Sequence, residues 1–270
     1  MTSLRSHIVP MATLCLLVSP AFLPSSTAHA ATHVVSNCNN TGAGSLRAVI
    51  GAATSGDAID MRSLRCPRIV LDGQIDVPQQ DLRLLGPGRL ALTVDGNRAG
   101  RVFAHSGAGT LYIGELSISN GLSTVAYPGE AQGGCINSPA GTVELWRSRV
   151  HGCEAYSHEF TSVILLGGGI AATNVVLNYS SVFDNKAGIY GYGGGIYASN
   201  SARLFHSQVY GHAVTGDGGG ILAGHVNATY SLVSGNSAHR GGGIACQRLT
   251  LNKSTVSNNR AVLRDFLGGY

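Results

Sequence analysis

Residues 180–200 read SSVFDNKAGIYGYGGGIYASN: a short β-branched and aromatic run, an Asn, and three consecutive glycines ahead of an Ile. The combination recurs along the chain. A Gly-Gly-x-Ile unit stands at Gly133 as GGCI and at Gly167, Gly193, Gly218 and Gly241 as GGGI, with a final Gly-Gly at Gly268. By subtraction its steps are 34, 26, 25, 23 and 27 residues. A second element follows each full unit: SRVHGCEA, SSVFDNKA, SQVYGHAV, SLVSGNSA and STVSNNRA. From the Ile of the first element to the Val of the second is 12 to 14 residues every time, from Ile136 and Val150 through Ile244 and Val256. A nearly constant unit with slack assigned to the loops is the pattern of a stacked repeat fold.

Alignment on that Val turns the repeats into columns. Seven residues earlier stand Val143, Val175, Ala202, Val226 and Leu249; five earlier stand Leu145, Leu177, Leu204, Ala228 and Leu251. They alternate with polar residues, as in strands with one buried face. Two residues before the Val is an unbroken column of Ser148, Ser180, Ser207, Ser231 and Ser254, and three after it come Cys153, Asn185, His212, Asn236 and Asn259. In stacked coils an Asn column is expected to pass amide hydrogen bonds up the stack, with His212 as a substitute rung and not a catalytic base. The Ser column has no companion base column, so inward hydroxyls bonding neighbouring backbone are expected instead of nucleophiles. A helical repeat of similar length is disfavoured by triple glycines, β-branched residues and Asn in every unit. One coil buries too few aliphatic side chains to offset the entropy of ordering it, so stacking must carry the fold.

Upstream, RIVLDGQIDV, LRLLGPGRLALTVDG, RVFAH and TLYIGELSISNG continue the strand-and-turn grammar in worn form, with no domain boundary. The exception is GAGSLRAVIGAATSGDAI, in which Ser45 is placed to cap a helix and Leu46, Val49, Ile50 and Ala53 share one helical face. A short amphipathic helix here would cap the first coil, giving a cap over about 31–60 and the clearest repeats over 133–270 of one all-β domain, 31–270. The end, RAVLRDFLGGY, stops in mid-unit, so the last coil is expected to lie open or the chain to be a piece of a longer one.

At the other terminus Arg5 precedes the apolar run IVPMATLCLLVSPAFL, followed by PSSTAHA, whose Ala28-His29-Ala30 fits the small-x-small rule. Residues 1–30 read as a secretory signal; the run is too short and too rich in Pro for a membrane span. The expected location is therefore extracellular, cell-surface or periplasmic, with no transmembrane segment after signal removal. The formal charge of +4 is scattered, which argues against a nucleic-acid partner. Of the five cysteines left, Cys38, Cys66, Cys135, Cys153 and Cys246, most should pair in an exported protein and one must stay over. No C-x-x-C spacing supports zinc.

GSLRAVIGAATSGDAIDM, LRLLGPG, LTVDGN, SISNG and GGCI resemble segments of exported bacterial proteins of the pectin-lyase-like superfamily, and the GGGI and V-x-x-N units are similar to the repeats of polymorphic outer-membrane proteins. The resemblance covers nearly the whole chain after residue 30. It implies a right-handed parallel β-helix, and it implies pairing of Cys38 with Cys66 near the cap and of Cys135 with Cys153 across a coil. It does not imply an activity. A polymorphic outer-membrane protein would also carry a C-terminal β-barrel, for which this chain has no room.

Many β-helix enzymes cleave acidic polysaccharides, a reaction that needs converging carboxylates, either as Ca²⁺ ligands beside an Arg or Lys base or as a general acid and base pair. The columns offer none. Asp184 aligns with Gly152, Gly211, Gly235 and Asn258; Glu154 aligns with Lys186, Ala213, Ser237 and Arg260. The set Asp57, Asp60, Asp72, Asp76 and Asp81 lies near the cap, where exposed turn carboxylates are expected, and His151, His206, His225 and His239 fall in different columns. Trp146, Tyr179, Phe205 and Tyr230 occupy adjacent outward columns beside Arg147 and Lys253, a strip suited either to sugar stacking or to lateral packing. The expectation is a scaffold, adhesin-like or touching a polysaccharide or cell-surface glycan, with no catalytic residue, metal or cofactor assigned. The alternative is a polysaccharide lyase or hydrolase, for which Ca²⁺ would be the cofactor.

Overall fold

The computed structural model describes residues 30–125, 129–157, 163–188 and 190–262. Residues 1–29, which hold most of the expected signal, and the Gly-Gly at Gly268 lie outside the described residues. Within them the chain is parallel β-structure with one helix.

Each later coil supplies a long strand and a three-residue strand. The long strands Ile136–Trp146, Ile170–Asn178, Ile196–Phe205, Ile221–Thr229 and Ile244–Asn252 pair in parallel in that order. So do Arg149–His151, Ser181–Phe183, Gln208–Tyr210, Leu232–Ser234 and Thr255–Ser257, which form a second sheet. Leu145, Leu177, Leu204, Ala228 and Leu251 are register partners from coil to coil, as are Val150, Val182, Val209, Val233 and Val256. Equivalent residues therefore stand one strand spacing apart, about 4.8 Å, and each coil covers the apolar face of its neighbour. The worn upstream repeats belong to the same stack: Leu82–Leu85 and Thr110–Gly114 extend the long sheet, and Arg68–Val70, Thr93–Asp95 and Ser117–Ser119 the short one.

Part of the slack sits inside the long strands and not in the loops. Register shifts between Ser138 and Thr142, Ala172 and Asn174, and Ala198 and Ser201 take up the extra residues as bulges. A bulge absorbs an insertion locally, so Ile136 and Val143 both still face inward and are fully buried.

The triple glycine has three separate causes within one turn. Gly218 has φ +69°, a Cβ on Gly219 would lie 2.6 Å from the Ser237 carbonyl oxygen, and a Cβ on Gly220 would lie 3.0 Å from Asn236 Nδ2. The turn is left-handed at its first residue and tightly packed at the next two.

At the start of the stack the helix Leu46–Ala52 is capped by Ser45, whose Oγ accepts from Ala48 N–H at 3.3 Å. Leu46 and Ile50 are buried in the core, and Val49 and Ala53 pack at its edge. Gln79 Nε2 donates to the carbonyls of Ile50, which also accepts Ala53 N–H, and of Ala53, both at 2.9 Å, and so closes the helix end. In the last described coil the inward columns are open: Leu249, Leu251 and Val256 are 45, 43 and 40 % exposed, whereas their partners in preceding coils are buried.

Candidate functional site

Two polar ladders run through the interior. Each Ser hydroxyl donates to the carbonyl two residues earlier, as Ser180 Oγ does to Asn178 and Ser207 Oγ to Phe205, both at 2.8 Å. The same oxygens accept from the preceding coil: Ser148 N–H to Ser180 at 3.0 Å, Ser180 to Ser207 at 3.1 Å, Ser207 to Ser231 at 3.1 Å and Ser231 to Ser254 at 3.0 Å. With donor and acceptor both committed, these hydroxyls are backbone clips and not nucleophiles.

The second ladder joins side chains mainly to backbone, not amide to amide. Cys153 N–H donates to Asn185 Oδ1, Asn185 N–H to His212 Nδ1, His212 N–H to Asn236 Oδ1 and Asn236 N–H to Asn259 Oδ1, at 3.0 to 3.1 Å. The amide nitrogens of Asn185, Asn236 and Asn259 donate to the carbonyls of Val150, Val209 and Val233, and His212 Nε2 reaches Val182 O at 3.1 Å. One amide-to-amide bond joins Asn236 Nδ2 to Asn259 Oδ1 at 2.9 Å. His212 thus uses its ring as an Asn uses its amide. Burial pushes its pKa down to about 4 against the opposing hydrogen bonds to Asn185 and Val182, so the ring is neutral and structural.

Cys38 is bonded to Cys66 and Cys135 to Cys153, with Cα atoms 6.5 and 5.4 Å apart. Two disulfides fit an oxidising compartment. Cys246 is a free thiol whose pKa is raised by burial.

The carboxylates near the cap are engaged separately. Asp60 pairs with Arg62 at 2.8 Å and Asp72 with Arg47 at 3.7 Å, Asp76 accepts from Gln74 at 2.6 Å, and Asp81 accepts from Thr110 N–H at 2.7 Å. Asp57 is buried with His33 and Thr54. Further along, Glu154 pairs with Arg98 and Asp217 with Arg240. Among the described residues no three His, Cys, Asp or Glu side chains are grouped to hold a metal ion, and no helix is long and apolar enough to cross a membrane.

The four outward aromatics divide into two files. Tyr179 and Tyr230 sandwich His206, with centroids 5.0 and 4.8 Å apart and planes within 8° of parallel. Lys253 Nζ caps this file 5.1 Å from the Tyr230 centroid and donates to its hydroxyl at 2.9 Å. These rings face one another and present their edges outward. In the adjacent file Trp146 and Phe205, two coils apart with Asn178 between them, stand at 69° and 89° to Tyr179. Their planes run along the stack. The column reading named His206 and His151 but did not place them with the rings: His206 joins the two tyrosines, and His151 stacks with Phe183 and Tyr210 at 4.7 and 5.1 Å in a second ring file on the short sheet. The signal was present in the repeats, because these residues share register positions.

Beside Phe205, on the outer face of the long sheet, lie three neighbouring hollows of about 330, 320 and 290 Å³ that all include Arg203. One is shared with His225 and Arg248, and another with Phe205 and Asn178. Among the described residues neither Arg203 nor Arg248 pairs with a carboxylate, and His225 Nδ1 is buried without a hydrogen-bond partner. Neighbouring hollows lined by Arg, His, Asn, Ser and Thr and walled by a ring suit an extended, hydroxyl-rich ligand with negative groups. Comparison of the chain with protein-family models, with curated proteins and with solved structures finds no match.

Proposed function

We propose that the chain is an exported, right-handed parallel β-helix of the pectin-lyase-like kind, and that the outer face of its long sheet holds an extended acidic glycan without cleaving it. Parallel strands joined by crossover connections are right-handed in nearly all proteins, which supports the handedness. The repeat grammar supports the superfamily, and the small-x-small motif at Ala28–Ala30 with two disulfides supports export.

The observation that carries the binding reading is the convergence of three hollows on Arg203, which has no carboxylate partner among the described residues, with Arg248 and His225 beside it. Trp146 and Phe205, about 10 Å apart by two strand spacings, run parallel to a polymer lying along the stack. The carboxylates of the described surface are dispersed among separate partners, so the face offers cations and hydrogen bonds but no acid and base pair.

Incubation of the purified protein with polygalacturonate, alginate and a neutral glucan tests this reading. Retention on the acidic polymers, lost at high salt and weakened about tenfold by Arg203→Ala, is expected. No retention overturns it. New reducing ends or unsaturated products would replace it with a hydrolase or a lyase.

A further inference from the structure

At the first coil a backbone nitrogen meets a buried carboxylate. Ala31 N donates to Asp57 Oδ1 at 2.7 Å, while Asp57 Oδ2 accepts from Thr54 N–H at 2.7 Å and Thr54 Oγ1 at 2.9 Å and lies 2.8 Å from His33 Nε2. Asp57 is 2 % exposed. Its one ion-pair partner among the described residues is His33, whose side chain is 32 % exposed. A carboxylate so enclosed, whose one ion-pair partner is a partly exposed imidazole, is a site where a second, cationic donor would be favoured. The backbone hydrogen bonds from Thr54 and then Ala31 hold it ionised, well below the usual carboxylate range.

Ala31 is fixed on both sides. Its carbonyl accepts from Ala58 N–H at 2.8 Å, and the strand that follows it, Thr32–Val34, pairs in parallel with Ala58–Asp60. Ala30 is exposed at this edge, so the bond between Ala30 and Ala31 lies at the surface while the nitrogen points inward. Ala28-His29-Ala30 places a signal-type cut at that same bond.

We propose that leader removal between Ala30 and Ala31 creates an α-ammonium group that forms an ion pair with Asp57, so that processing completes the cap. The inference rests on the export reading above. A signal-type peptidase adds water across the amide: the C–N bond breaks, the carbonyl carbon takes the hydroxyl to become the Ala30 carboxylic acid, and the nitrogen takes the hydrogen. The acid's proton then passes to the amine, leaving carboxylate and ammonium, because an α-amine has a pKa of about 8. A neutral N–H donor thereby becomes a charge-assisted one without moving. The leader-bearing chain has the hydrogen bond but not the charge, so the first coil tightens only after the cut.

The test compares the protein secreted from its own leader with a variant carrying one Gly inserted between Ala30 and Ala31, each with and without Asp57→Asn. N-terminal sequencing of the secreted wild type comes first. A start at Ala31 is expected; another first residue overturns the proposal but leaves export standing, and a chain that keeps its leader or is not exported overturns both. Below pH 8 the wild type should melt about 2–4 °C above the insertion variant, and the gap should close as pH rises through the raised amine pKa and vanish in the Asp57→Asn pair. Should Asp57→Asn fail to fold, NMR titration of the α-amine decides: a pKa about one unit above the ordinary value in the wild type, and not in the insertion variant, is expected. Equal melting and an ordinary amine pKa overturn the ion pair with export intact.

Discussion

The Nδ1 atom of His212 accepts the backbone N–H of Asn185 at 3.1 Å, the bond that an Asn Oδ1 accepts on the rungs either side. That bond exists only while Nδ1 is unprotonated. The unfolded His titrates near 6.5 and the buried one near 4, so between these values the unfolded chain binds more protons and stability falls as pH falls. The contribution is complete above pH 6.5 and amounts to about 3 kcal/mol, lost by pH 4. His212→Asn keeps both ladder bonds and should flatten this part of the curve. Urea midpoints at pH 7 and pH 4.5 measure it; the same pH slope in both proteins would refute the assignment.

Cys135 and Cys153 occupy the register positions where the next coil has Gly169 and Asn185. A Cβ on Gly169 would lie 2.9 Å from Asn185 Nδ2, so the disulfide replaces a contact that later coils make through space. The pair Gly169→Cys and Asn185→Cys should therefore oxidise to a third bridge, seen as a mass lower by two hydrogens and restored by reductant. Under oxidising conditions the single Cys153→Ala should lose about 3 kcal/mol, and the converse pair, Cys135→Gly with Cys153→Asn, should recover part of that loss by restoring the Gly and Asn contact of the next coil.

Ser207→Ala removes the acceptor for Ser180 N–H inside the stack. A buried donor left unpaired costs about 1–3 kcal/mol. Ser201→Ala, on the outer face, should change stability by no more than about 0.5 kcal/mol. Equal effects in denaturant melts would mean that the inner ladder is not what holds these coils in register.

The two outward ring files should separate in function. His206→Ala cuts the Tyr179–His206–Tyr230 stack and should cost about 1–2 kcal/mol of stability, while His206→Tyr retains it. Phe205→Ala should weaken glycan retention more than Tyr230→Ala, because the Tyr230 face is already covered by His206 and Lys253. Retention assays beside thermal melts distinguish binding loss from unfolding.

Much of the architecture was legible before any coordinates. The Ile, Val, Leu and Ser columns became register partners because parallel strands stack equivalent residues at one fixed spacing, and the helix under Ser45 followed from a cap residue and one apolar face. The Asn column was legible as a ladder but not in its bonding, which runs mainly to the backbone of the preceding coil while each amide sits against the third glycine of its own GGGI unit. The bulges were not legible, since an insertion within a strand looks the same in sequence as one in a loop.

The proposed glycan-binding face lay further from reach. Trp146, Tyr179, Phe205 and Tyr230 could be placed in outward columns, but periodicity carries no ring angle, and the angle decides which faces a ligand meets. Likewise, letters alone could show that Arg203 and Arg248 are cations, not that they lack carboxylate partners among the described residues, and could place Ala31 after a cleavage motif, not against Asp57. What the sequence by itself determined was the repeat and everything that recurs with it, because periodic side chains must be buried periodically. What only the tertiary structure decided were the single, unrepeated meetings, because contacts between residues 26 or more positions apart depend on where the coils bring them and not on any pattern within one coil.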